Sequence, residues 1–362
     1  MNMPPSESKI VGRAAQDSPP NRFESVHCEA DLEQLAVDEM PLEARRTVPT
    51  EFLPDHAKTL IRENDSPDVP FRYSLNPYRG CEHGCAYCYA RPGHETLGFN
   101  AGLDFETKIL VKHDAARLLR DELNRPSWQG EMIAMSGVTD CYQPAERRFR
   151  LTRACLEVML EAHQAVGIVS KNALVLRDLD LLRPLAERNL THVLISVTTL
   201  DGELARKLEP RTASPQARLR TIRELSAAGV PTAVIIAPVI PGLNDQEIPA
   251  ILKAAAEAGA RSASTILLRL PLSVEPVFTA WLEQNLPLAR DRILSRIRST
   301  RGGKLSDSKW GRRMRGEGAY AEQIRQTFTT FAAKFGLDAP LPAVDTTQFR
   351  PPRDASGQGR LF

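Results

Sequence analysis

NPYRGCEHGCAYCYAR, residues 76–91, gathers three cysteines in one short stretch: Cys81, Cys85 and Cys88, spaced C-x3-C-x2-C. Gly80 and Gly84 allow the tight backbone turns that aim three thiolates at one point. Structural zinc sites usually show two separated cysteine pairs. No second pair follows here: Cys28, Cys141 and Cys155 are scattered, and Cys155 falls in an amphipathic run where a core thiol is expected. Iron–sulfur clusters are held by cysteine thiolates. Three ligands and no obvious fourth suit a [4Fe–4S] cluster with one iron left open. A zinc site completed by His83, or plain buried thiols, are the alternatives.

Downstream, a short apolar run is followed by a helical run six times over. The apolar runs are TKILVK (107–112), EMIAMS (131–136), VGIVSK (166–171), THVLISVT (191–198), TAVIIAPVI (232–240) and SASTILLRLP (262–271). Such near-continuous Val, Ile and Leu runs are what a parallel sheet covered by helices requires. Gly229 and Gly259 sit where left-handed C-caps belong, and Ser214-Pro215 reads as an N-cap with proline at the first helical position. Six βα units form either a partial barrel or an open doubly wound sheet. In both, ligands gather at the carboxyl ends of the strands.

The 362 residues carry 47 Lys+Arg and 45 Asp+Glu, so net charge names no partner. No apolar run approaches the ~20 residues of a membrane span, and the N-terminus lacks a signal-peptide pattern, so a cytoplasmic protein is expected. Residues 1–50 are rich in Pro, Ser and acidic side chains and read as a disordered or loosely attached extension, as does the tail 348–362. The core is expected over residues 67–301, with a helical extension over 302–347 that includes an amphipathic helix at 319–337.

C-x3-C-x-aromatic-C, with Tyr87 as the aromatic, resembles the signature of the radical S-adenosylmethionine (SAM) superfamily. Together with TDCYQPAE (139–146), the wording is most similar to the spore-photoproduct-lyase-like subgroup. The resemblance implies an α/β fold, a partial (β/α)6 TIM-like barrel. Its cysteine loop follows the first strand, which makes FRYSLNP (71–77) the better first strand and one of the six runs an extra element. It further implies a [4Fe–4S] cluster on Cys81, Cys85 and Cys88 and SAM on the open iron. Reductive cleavage of SAM would then give methionine and a 5′-deoxyadenosyl radical that abstracts hydrogen from a substrate. An electron donor such as a flavodoxin or ferredoxin is implied too.

Cofactor contacts follow from the same resemblance. Tyr87 belongs to the signature, and the turn Ser136-Gly137-Val138-Thr139-Asp140 resembles the family's glycine-rich motif for the methionyl ammonium. Ser170 and Lys171 end the next strand, where Lys171 would hold the methionyl carboxylate. Ser196 and Thr198 would bond the ribose. Arg211 would take the SAM carboxylate or a substrate anion, and Leu268 would give apolar contact to adenine. Cys141, beside Asp140, is the candidate hydrogen donor to a product radical.

Residues 289–316 hold ten basic and two acidic residues with Trp310 among them, a pattern that suits nucleic acid or a solvated face. The leading expectation is thus a radical SAM enzyme, lyase-like, whose substrate is a nucleic acid. The rival is a zinc-stabilised nucleic-acid-binding protein without catalysis.

Overall fold

A computed structural model describes residues 10–23 and 47–352. Among the described residues ten strands form: β1 Glu51–Pro54, β2 Ile61–Glu63, β3 Tyr73–Leu75, β4 Tyr78–Arg79, β5 Lys108–Val111, β6 Ile133–Met135, β7 Val166–Ser170, β8 Thr191–Ser196, β9 Thr232–Val239 and β10 Ser262–Leu267. Seven make one sheet in the order β10-β9-β8-β7-β6-β3-β2. Six of these run parallel, and β2 pairs antiparallel with β3. The sheet therefore ends on two edges, β10 and β2, as a partial barrel does.

FRYSLNP supplies the first barrel strand, as the cysteine loop's position implies. TKILVK does form a strand, but outside the barrel: β5 pairs with β1 and β4 in a separate three-stranded sheet. Its apolar content comes from packing Ile109 and Val111 into the common core, which an apolar run cannot distinguish from barrel membership.

The strand runs are apolar because helices cover them. Leu118, Leu119 and Leu123 of helix Ala115–Leu123 and Leu156 and Met159 of helix Leu151–Glu161 are buried in the same core as Val166, Ile168, Val193 and Ile195. The caps fall where local chemistry puts them. Ser214 Oγ accepts from Ala217 N–H at 3.2 Å with Pro215 at the first position of helix Pro215–Ala227. Gly229 and Gly259 take φ of 81° and 94°, which a side chain would resist. Helix Gly318–Lys334 buries Ala321, Ile324 and Ala332 and packs on helix Ile248–Glu257. Among the described residues no helix is long and apolar enough to cross a membrane.

The expectation of a loose N-terminal stretch is corrected for residues 10–23; residues 1–9, 24–46 and 353–362 lie outside the described residues. Arg13, Ala14, Ala15 and Asn21 are buried against the cysteine loop's surroundings. Arg13 donates to Glu106 O (2.7 Å), Val48 O (3.0 Å) and Thr50 Oγ1 (2.9 Å). The acidic, proline-rich composition hides this because a few backbone N–H groups aimed at one buried carboxylate suffice.

Candidate active site

The loop after β4 turns on itself at every cysteine. Gly84 N–H bonds Cys81 O, Cys88 N–H bonds Cys85 O, and Arg91 N–H bonds Cys88 O, at 3.2, 3.2 and 3.3 Å. Gly84 needs its missing side chain twice over: its φ is 64°, and a Cβ there would lie 2.6 Å from Glu106 Oε2. Arg91, fully buried, grips the loop from beneath. It donates to Cys85 O, Ala101 O and Gly102 O and pairs with Glu106 at 2.6 Å. Glu106 in turn accepts from Ala14 N–H (3.2 Å) and Ala15 N–H (2.9 Å). The N-terminal segment thus closes over the loop.

Cys81, Cys85 and Cys88 are free thiols, the first two buried. Burial raises the pKa of all three, and the Cys81 thiol is raised further by Asp140 and then by Cys88 and Cys85. Thiolates, not thiols, are ligands. Three thiolates on one loop, two of them buried, call for a strongly positive group, which a polynuclear iron cluster would supply. Among the described residues no group of three or more His, Cys, Asp or Glu side chains, the cysteine trio included, is placed as it stands to hold a metal ion.

His83, the alternative fourth zinc ligand, is committed elsewhere. Asn172 Nδ2 lies 3.2 Å from its Nε2, and its Nδ1 lies 3.4 Å from Asp140 Oδ2. Asn172 Oδ1 already accepts from Leu174 N–H, so Nδ2 donates and the tautomer with the proton on Nδ1 follows. His83 thereby ties the cysteine loop to the ends of β6 and β7.

Several expected SAM contacts meet at the strand ends. Lys171 Nζ reaches Ser196 Oγ (2.5 Å), Thr198 Oγ1 (3.3 Å) and Ala237 O (2.9 Å), lies 3.4 Å from Glu209 and sits over the Tyr87 ring. Burial, then Arg218, lowers its pKa to about 8. Tyr87 OH and Arg218 both bond Glu209, and Thr198 Oγ1 donates to it at 2.7 Å. Leu268 packs with Cys85 and Tyr87 in a second apolar cluster. Ser136 takes a positive φ of 78° and its Oγ accepts from Cys141 N–H; Thr139 Oγ1 donates to Tyr78 O.

Three of the expected residues are held by the protein's own groups. Cys141 is fully buried in the main core, its carbonyl held by Thr152 Oγ1 at 2.6 Å. The Asp140 carboxylate, expected at the methionyl ammonium, is taken by Ser170 Oγ (2.9 Å) and the N–H groups of Lys171 (2.7 Å) and Tyr142 (2.9 Å). These bonds fix the loop. Arg211 lies 3.4 Å from Glu82 and 3.3 Å from Thr50 Oγ1, bracing the cysteine loop against the N-terminal side. The sequence reasoning missed Arg91, Glu106, Arg218 and Tyr89. Tyr89 follows Cys88 directly and donates to Gly137 O at 2.6 Å.

Beside Gly80, His94 is buried between Phe99 and Phe105, and burial lowers its pKa to about 4. The unfolded chain protonates near 6.5. With the folded value the lower one, this group's stability contribution is intact above pH 6.5 and is lost as pH falls toward 4. Urea denaturation at pH 7 and pH 5 checks it: wild type is expected to lose about 2 kcal/mol more than His94→Gln over that step.

A partial parallel barrel with three free thiols on one loop at its strand ends is the arrangement that an iron–sulfur radical enzyme requires. The sequence profile of the Radical SAM superfamily matches residues 75–255. An uncharacterized protein of Mycobacterium tuberculosis, Rv2578c, is 38% identical over 273 residues, 74% of this chain and 76% of that protein. An uncharacterized protein of Methanocaldococcus jannaschii, MJ0683, is 31% identical over 176 residues, 49% of this chain and 63% of that protein. Among solved structures, spore photoproduct lyase complexed with dinucleoside spore photoproduct superposes with a TM-score of 0.55 at 18% identity, covering 80% of each chain. The chain belongs to the radical SAM superfamily. It is an enzyme of that family and uses a [4Fe–4S] cluster and SAM, which sets aside the non-catalytic zinc reading.

Proposed function

We propose that this protein, acting in the cytoplasm with a low-potential donor such as a flavodoxin or ferredoxin, cleaves SAM reductively and abstracts a hydrogen atom from a nucleic acid, in the manner of a lyase. When bound, cluster and SAM supply methionine and a 5′-deoxyadenosyl radical. The observation that carries this reading is the trio of free thiols at the carboxyl ends of the barrel strands, beside the polar wall of Lys171, Ser196 and Thr198. Those residues hold and orient SAM. Tyr87, Leu268 and the turn 136–139 enclose it and exclude water.

The nucleic-acid part is supported by the fold likeness to a lyase that binds a dinucleoside photoproduct and by the basic segment. Much of that segment is spent on structure. Arg301 holds Leu268 O and Arg312 O, Arg312 pairs with Asp307 and Glu317, and Arg313 pairs with Asp68. Arg292, Arg296, Arg298, Lys304, Lys309 and Arg315 carry its exposed charge.

The test is anaerobic incubation of dithionite-reduced protein with SAM and ultraviolet-irradiated, deuterated oligothymidylate. 5′-Deoxyadenosine carrying substrate deuterium is expected. Unlabelled 5′-deoxyadenosine, at a rate indifferent to the oligonucleotide, would overturn the substrate class; none at all would overturn SAM cleavage.

A further inference from the structure

Arg269 stands just past β10, at the open edge of the barrel, and its charge is unanswered. Its Nη1 meets Met314 Sδ at 3.6 Å, a weak acceptor, and its guanidinium lies over the Tyr89 ring at 5.7 Å. Among the described residues no carboxylate pairs with it. Asp68, the acid that it feels, is already bonded by Arg313 Nε (2.5 Å) and Gly311 N–H (2.7 Å). Burial first, then the charge of Arg313, lowers the Arg269 pKa. A half-buried fork of donors with a second guanidinium nearby is a receptor for an anion.

Its surroundings say which kind. Tyr89 and Trp310 are 51% and 54% exposed, unusual for such large rings, and both lie on this side. Arg313 stacks on Trp310 at 3.9 Å to the ring centroid. Leu267 N–H bonds Met314 O (2.9 Å), so the segment carrying Trp310 is fastened across the end of β10, while Asp68 ties it to the connection between β2 and β3. It bridges the two edges of the sheet. The expected SAM contacts, by contrast, come from the inner strand ends of β7 and β8. Through Tyr89, the neighbour of Cys88, the anion would sit beside the cluster loop.

We propose that Arg269 is the substrate's anion receptor, taking a phosphodiester whose flanking bases lie against the exposed rings of Tyr89 and Trp310. This rests on the nucleic-acid reading above. An anion alone would leave the two rings unexplained, and stacking alone would leave the unpaired guanidinium. Base–aromatic stacking with a cationic contact accounts for both.

The probe is a fluorescein-labelled oligothymidylate dodecamer, titrated anaerobically onto the reconstituted protein over a series of salt concentrations and read by anisotropy. Arg269→Gln is expected to weaken binding about tenfold or more and to reduce the salt slope by about 0.7, one phosphate's worth on a single strand. Arg269→Lys falls in between, because charge is kept and the fork lost. Trp310→Ala weakens binding about fivefold or more at unchanged slope. Lys253→Gln, an exposed charge outside the basic segment on helix Ile248–Glu257, changes affinity less than about twofold. If wild type binds and Arg269→Gln matches it, or loses no more than Lys253→Gln, the inference falls and the nucleic-acid reading stands. If Arg269→Gln instead loses SAM in equilibrium dialysis and keeps the oligonucleotide, the guanidinium serves SAM and the inference falls. If wild type binds no oligonucleotide at any salt, both fall. Should Arg269→Gln fail to fold, Arg269→Lys and Trp310→Ala decide the matter by the same readings.

Discussion

Replacing any one of Cys81, Cys85 and Cys88 by Ala is expected to yield colourless protein that forms no 5′-deoxyadenosine above background. Each thiolate would hold a separate corner of the cluster, and the described residues around the loop offer no substitute ligand: His83 is held by Asp140 and Asn172, and Glu82 is drawn to Thr50 and Arg211. The fold itself should survive, because the loop is pinned by backbone bonds and by Arg91 rather than by the sulfurs. Cys141→Ala and Cys155→Ala are the contrasting pair. Both thiols are fully buried in the main core. Their loss should lower stability by about 1 kcal/mol, as removal of a small buried group does, and leave colour and activity in place. Visible absorbance, product analysis and urea denaturation on the five variants separate ligand from core thiol. A coloured Cys85→Ala, or a colourless Cys155→Ala, would contradict the assignment.

Arg91→Met should be the most damaging substitution outside the cysteines. The Arg91 and Glu106 side chains are both completely buried and face each other at 2.6 Å. Removing the cation leaves a carboxylate with only the Ala14 and Ala15 N–H groups, and it abandons the carbonyls of Cys85, Ala101 and Gly102. Breaking such a pair from one side costs about 3–5 kcal/mol. The double variant Arg91→Met/Glu106→Leu removes the stranded charge and should recover part of that loss. A cost below about 1 kcal/mol, or no recovery in the double variant, would mean that the pair is not what holds the loop. Faster bleaching of the reconstituted cluster in air should accompany the loss, since the same guanidinium holds Cys85 O.

The six barrel strands and the cysteine trio are legible in the sequence because each leaves a local trace: apolar runs of strand length, and cysteines within one short loop. Caps at Ser214, Gly229 and Gly259 are legible for the same reason. What escapes is long in sequence and short in space. Ala14 and Arg91 both meet Glu106, from 92 and 15 residues away. The burial of Cys141 depends on which way one turn faces, since its neighbour Asp140 points to the loop and Cys141 to the core. β5 escapes because an apolar run cannot say which of two sheets it joins. Arg269 escapes because an arginine's significance lies in the partner it lacks.

Iron and sulfide analysis of the anaerobically reconstituted protein, followed by electron paramagnetic resonance of the reduced cluster with and without SAM, addresses the central claim most directly. About four iron and four sulfide per chain, with a signal that changes when SAM is added, is the predicted result. Zinc in place of iron, or a cluster signal indifferent to SAM because a protein side chain fills its last corner, would contradict the account.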